Sequence, residues 1–274
     1  MLQLGKKDLE PVLATHRGTE ALRRAVEEAE TPGALLSVVA RYIQFNSAFG
    51  PGLANLSGEI AARQDLFRDP DEPVAVVADR AAEVASDFFY AAVDEFDDRL
   101  TPWRDTHRTL AQATLKAMGA WFGLRPQQLN DVIRINAQTR EAVGKVSYGY
   151  GVGAALDDER LFRAMGFHTG SEVLADAEFN VLDAGLRKTH PDMVQALQKS
   201  RIAIAGQEHD GYYWVRIHTS VEADHFESAL QGVNNAGRYY AGTSAPETVR
   251  GWVLEGFRDF ASVQGAFMAA LAEE

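Results

Sequence analysis

The chain of 274 residues contains no cysteine. That excludes disulfides, thiolate metal sites and a cysteine nucleophile, and it suits a reducing cytoplasm. Any metal must be held by His, Asp, Glu or water, a donor set that selects iron, manganese or zinc over soft-ligand chemistry. Positive charge is also scarce: 27 Lys and Arg stand against 39 Asp and Glu, a formal net charge of −12. Nucleic acids and anionic membranes both require a basic face, so neither is expected as a partner. The basic residues are interleaved with acids, as in Arg23-Arg24-Ala25-Val26-Glu27-Glu28. No apolar run reaches the length of a membrane span, and no basic start leads into the apolar stretch of a signal peptide. The expectation is a soluble cytoplasmic protein.

Strand alternation is scarce too, whereas helical periodicity dominates. It predicts helices over 18–30, 34–48, 74–98, 105–122, 126–146, 157–165, 171–186, 191–199, 211–232 and 246–272. Gly50-Pro51-Gly52 punctuates the end of the second, and the acidic stretch before Val74 is a loop. A strand at 201–205 is too brief to found a sheet. The Gly-rich stretch Tyr148–Gly153 lacks the preceding strand and the Lys-Ser/Thr ending of a phosphate loop, so it is assigned to a helix junction. No linker divides the chain. One all-α domain is expected, with helices of 1–70 packed on a metal-binding core of 74–272.

Seven histidines are few enough to weigh one by one. His218, Glu222 and His225 form H-x-x-x-E-x-x-H. At 100° per residue Glu222 lies about 40° to one side of His218 and His225 about 20° to the other, so all three share one narrow arc. Trp214, Ile217 and Val221 border that arc, and burying ionisable groups beside an apolar stripe is costly unless something compensates. A shared divalent cation compensates; ordinary contacts along the helix are the plainer alternative. One helix cannot close a coordination sphere, and helical di-iron sites draw acids and histidines from several helices.

Glu172 shares a stripe with Ala175, Phe179, Leu182 and Leu186, while Glu178 falls away from it. A favourable helix-dipole contact is the alternative role for Glu172. Glu95 ends the stripe Val84, Phe88, Ala91 and Ala92, whereas Glu83, Asp87 and Asp94 fall on a face assigned to solvent. His107 opens the stripe Leu110, Ala111, Thr114 and Met118. Three histidines and three carboxylates result, a donor set suited to two iron atoms. His168 is a reserve candidate for a supporting or substrate contact; His16, His190 and His209 border turns or polar stretches and are set aside.

The ordered set Glu95, His107, Glu172 and His218-x-x-x-Glu222-x-x-His225 resembles the ligand motifs of the haem-oxygenase-like di-iron oxidases and oxygenases, over roughly 74–272. Glu222 stands where that family more often has Asp, and the segment between Leu186 and Tyr212 is longer than usual. The resemblance implies a haem-oxygenase-like helical bundle, two Fe(II) per chain held by these six residues, O2 as co-substrate and an external reductant. It also implies a small amino-acid-like substrate. The chain is similar, further, to the azetidine-forming branch of nucleoside-antibiotic biosynthesis, which implies desaturation or C–N cyclisation of an aliphatic amino acid. N-oxygenation of an amine is the alternative within the class. A metal-free helical binding protein is the alternative outside it, and a mononuclear metal hydrolase a third. Arg216, Arg238 and Lys145 are candidate partners for a substrate carboxylate. A homodimer is compatible with a helical enzyme of this size, although no residue requires one.

Overall fold

The computed structural model describes residues 3–69 and 80–273, with the side chains of 220–223 outside the described set. Among the described residues the chain forms α1 (Lys6–Leu13), α2 (Gly18–Glu27), α3 (Pro32–Asn46), α4 (Phe49–Ala61), α5 (Arg80–Phe96) and α6 (His107–Trp121). It continues with α7 (Pro126–Val132), α8 (Ala137–Gly149), α9 (Asp158–Thr189) and α10 (Pro191–Leu197). The hairpin β1 (Arg201–Ile204) and β2 (Gln207–Asp210) precedes α11 (Tyr213–Tyr239) and α12 (Pro246–Ala269). Polar side chains start several helices: Thr31, Thr106, Asn136 and Asp157 each accept a backbone N–H of the first turn, which satisfies donors the helix cannot.

The 32-residue α9 runs through the middle of the bundle, against α2, α11 and α12. Residues 164–172 are buried in succession, because neighbours cover the helix on every side. Two glycines set its approach to α12. A Cβ on Gly166 would lie 1.9 Å from the Val253 carbonyl oxygen, and one on Gly256 1.9 Å from that of Arg163. The pairing explains why the chain stays helical through Gly166-Phe-His-Thr-Gly170, where two separate helices are expected from periodicity: close packing offsets the weak helix propensity of glycine.

Other boundaries differ for equally local reasons. Gly50-Pro51-Gly52 lies inside the first turn of α4, where a missing proline N–H costs nothing, and Gly52 leaves room for the Tyr150 ring. The helix expected over 126–146 breaks at 133–136. Asn136 caps a new start by accepting from Thr139 N, and Arg134 is tied to α3 through Ser37 Oγ and the Arg41 guanidinium. The expected strand gains an antiparallel partner, Ile202 pairing with His209. Ala205 and Gly206, with φ of 52° and 82°, make the tight turn whose twist suits a hairpin. The short α1 is not apparent from periodicity. An apolar core runs from Leu4 in the N-terminal segment to Leu271 beyond α12. Among the described residues no helix is long and apolar enough to cross a membrane.

Candidate metal centre

Glu95 stands in the last turn of α5, and a short connection brings the chain back to α6. Asp98 N donates to the Asp105 carbonyl at 2.9 Å, and Asp105 N donates to Thr101 Oγ1 at 2.8 Å. Thr106 then starts α6, so His107 is its first residue. The result places His107 Nδ1 3.1 Å from Glu95 Oε1. His218 enters from α11, its ring centre 4.5 Å from that of His107. Donor atoms of Glu95, His107 and His218 all lie within 4.8 Å of one another, close enough to hold one metal ion.

Glu172 and His225 form a second group. His225 Nδ1 lies 3.5 Å from Glu172 Oε2, and its Nε2 lies 3.0 Å from Asp94 Oδ2. The other oxygen of Glu172 is 3.1 Å from Nδ1 of the fully buried His168. Both histidine-bearing groups repeat one arrangement: an inner glutamate faces Nδ1 of an imidazole and an outer aspartate faces its Nε2. For His107 the outer acid is Asp98, at 4.0 Å. A carboxylate that accepts the Nε2–H, as Asp94 is placed to do at 3.0 Å, leaves the Nδ1 lone pair for a cation, whereas Asp98 at 4.0 Å acts on His107 through its charge alone. Glu222 belongs to α11, but its side chain lies outside the described residues.

His218 is held from both sides. Its Nδ1 donates to the Trp214 carbonyl at 2.7 Å, which puts the lone pair on Nε2, and its ring stacks on Phe179 at 4.2 Å. Burial pushes its pKa well below the ordinary value; the neighbouring His107 acts the same way, and the Trp214 carbonyl opposes both. Burial likewise lowers His168 to about 4. Both rings are therefore neutral near pH 7, the form that binds metal. The hydrogen bond from His225 holds Asp94 below the usual carboxylate range.

A small cavity of about 40 Å³ joins the two groups, lined by Glu95, Glu172, His218 and His225. On the outer side Glu95, His107 and His218 form the floor of a larger pocket of about 390 Å³. Ile43, Pro51, Phe96, Ala111 and Trp214 give it apolar walls, with Asn46, Ser47, Thr106 and Arg108 as polar groups. Its size and mixed lining suit a small molecule.

Several participants differ from the sequence expectation. Asp94 and Asp87 are not on a solvated face; α11 covers them, with Asn235 donating to Asp87 at 2.9 Å. Glu178 does not point away but is buried and lines the small cavity. His209 is buried beside Asp105. Arg216 and Lys145 are engaged outside the pocket, with Asp210 and Glu141, and Arg238 lies over the Tyr239 ring. Arg108, which adjoins His107, is the guanidinium that lines the pocket.

No family model matches the chain, and neither does any curated protein. Among solved structures, a CADD-like protein of unknown function from Nostoc punctiforme PCC 73102 matches with a TM-score of 0.58. The match covers 97% of this chain and 95% of that one at 15% identity. The fold is shared. The all-α bundle expected from the sequence is the architecture of this chain.

Proposed function

We propose that this protein is a non-haem di-iron, O2-dependent oxidase or oxygenase acting on a small amino-acid-like substrate, with Glu95, His107, Glu172, His218, Glu222 and His225 holding the metals. The observation that carries the reading is the convergence of Glu95, His107 and His218 beside the Glu172–His225 pair, across one small cavity and beneath a pocket. The donor set fits iron: imidazoles and carboxylates, no thiolates, and a buried neutral His218. His225 Nδ1 and Glu172 Oε2 stand 3.5 Å apart inside the protein, a spacing at which a proton or a cation held between them is favourable. Reduced iron bound there supplies dioxygen activation.

The chain's own residues supply the rest. The outer carboxylates Asp98 and Asp94 orient His107 and His225, and Phe179 fixes the plane of His218. The apolar walls of the pocket exclude water from the aliphatic part of a substrate. Arg108 at its side is suited to a substrate carboxylate. Within this class we favour desaturation or C–N cyclisation of an aliphatic amino acid.

Anaerobic titration of the metal-free protein with ferrous iron, followed by Mössbauer spectroscopy, tests the proposal. Saturation near two irons per chain is expected, with loss of bound iron in His218→Ala and Glu172→Ala. No uptake by a folded protein overturns it and leaves a helical binding protein.

A further inference from the structure

Glu178 has no part in the cluster described above, yet it lines the small cavity with Glu95, Glu172, His218 and His225. It follows Glu172 by six residues on α9, about 120° around the helix, and is only 4% exposed. Two groups grip its carboxyl: the Tyr42 hydroxyl donates to Oε2 at 2.8 Å, and Gln264 Nε2 donates to Oε1. Gln264 is wholly buried on α12, and its Oε1 lies 2.5 Å from Nε2 of the half-buried His16. The backbone is shaped around this pair. A Cβ on Gly18 would fall 2.1 Å from Gln264 Oε1 and 2.5 Å from His16 Nε2, so only glycine admits the contact.

We propose that Glu178, linked through Gln264 to His16, holds and exchanges the protons of the small cavity. The proposal rests on the di-iron reading only for what those protons serve.

The network is matched in two proton arrangements. With Glu178 ionised, Gln264 N–H donates to it and Gln264 Oε1 accepts from the Nε2–H of His16. With Glu178 neutral, half a turn of the amide lets the carboxyl O–H donate to Gln264 Oε1. The amide N–H then donates to the Nε2 lone pair of His16, whose own proton sits on Nδ1. Glu178 can thus gain or lose a proton without leaving a buried polar atom unmatched, the usual obstacle to buried acids. The cavity has room for one water. When its O–H turns from Gln264 to that water, the carboxylic acid can give up the proton; the O–H bond breaks, Glu178 is left as the carboxylate and the proton leaves as hydronium, and the reverse step restores the acid with no electrons moved. His16 shifts its proton between ring nitrogens by exchange with solvent.

Burial raises Glu178 to about 7, with Gln264 and Tyr42 pulling the other way. The titratable groups facing it are Tyr42 of α3, His16 beyond Gln264, Glu95 of α5, Glu172 of its own helix, and His218 and His225 of α11. No Lys or Arg is among the described residues lining the cavity.

The test is an infrared pH titration of the full metal-free chain carrying isotope-labelled glutamate. One buried protonated carboxyl band is expected that disappears with a midpoint near pH 7 and is absent from Glu178→Gln. Gln264→Leu removes a donor to the charged form and should raise the midpoint by about one pH unit. If that variant does not fold, His16→Gln at the half-buried end of the network should still move the midpoint. A missing band, a band retained in Glu178→Gln, or a midpoint indifferent to the folded neighbouring variants overturns the assignment. Because no metal is present, these outcomes are independent of iron binding: a chain that takes up no iron can still show the titrating band.

Discussion

Among the described residues Asp98 Oδ2 is buried without a hydrogen-bond partner, 4.0 Å from Nε2 of His107, while its Oδ1 accepts from Leu100 N–H at 2.8 Å. The backbone contact fixes the carboxylate, and the second oxygen is turned to the imidazole edge remote from Glu95. Asp98→Asn preserves shape but removes the charge that orients and enriches the ring. Iron affinity should fall roughly 10- to 100-fold, measured by competition with a coloured chelator, with helical content unchanged. Undiminished affinity would limit Asp98 to closing the loop before α6.

Arg108 should act on substrate and leave the metal alone. It adjoins His107, yet its side chain is exposed at the pocket and contacts Gln44 at 3.4 Å. A panel of amino acids screened by dioxygen consumption identifies a substrate. Arg108→Gln should then raise KM roughly 10- to 100-fold, the effect of one charge-assisted hydrogen bond, with iron stoichiometry unchanged. An equal effect on a substrate analogue lacking the carboxylate would move the anchoring role elsewhere.

Much of the arrangement is visible in the sequence, because its helices carry the candidate ligating residues at helical spacing. His218 and His225 share an arc, and Glu95 and His107 close and open their stripes. Glu83, Asp87 and Asp94 misled because an acidic stripe looks solvated until its partner is known. Their partners lie on α11, where Tyr239 donates to Glu83, Asn235 to Asp87, and His225 meets Asp94. That matching polar stripe existed in the sequence but not as a pair. Glu178 escaped for another reason: the buried arc of α9 is wider than the stripe through Glu172 and takes in Glu178 beside Phe179, while Asp176, Ala177 and Asn180 of the same stretch are exposed. Arg108 follows from the pocket's shape, which no periodicity encodes.

Buried Glu178 has a consequence for stability. Its pKa is raised in the fold, from 4.5 to about 7, so the folded state binds the proton more tightly than the unfolded chain. This contribution is fully present below pH 4.5 and is lost as pH rises toward about 7. The interval corresponds to about 3 kcal/mol at most. Denaturant unfolding of the metal-free protein should show Glu178→Gln gaining on the unmodified chain as pH rises through that window. Parallel pH dependences would mean that Glu178 is ionised throughout.

The contact of α9 with α12 predicts opposite outcomes for one substitution at two places on α12. At Gly256 an added methyl meets the Arg163 carbonyl oxygen at 1.9 Å and its carbon at 2.7 Å. Both are backbone atoms that no rotamer change can clear, so the helices must part. Gly256→Ala should cost about 1–3 kcal/mol, a fall in Tm of roughly 3–10 °C. Gly251 lies five residues earlier on the same helix, and a methyl added there would meet nothing within 4 Å. At that position alanine should stabilise by about 0.5–1 kcal/mol, because it restricts the unfolded chain and suits a helix. Parting the helices also draws Gln264 of α12 from Glu178 of α9. Gly256→Ala should therefore shift the infrared midpoint of Glu178, and Gly251→Ala should not. Equal thermal behaviour of the two variants would contradict the close helix approach on which the position of Gln264 depends.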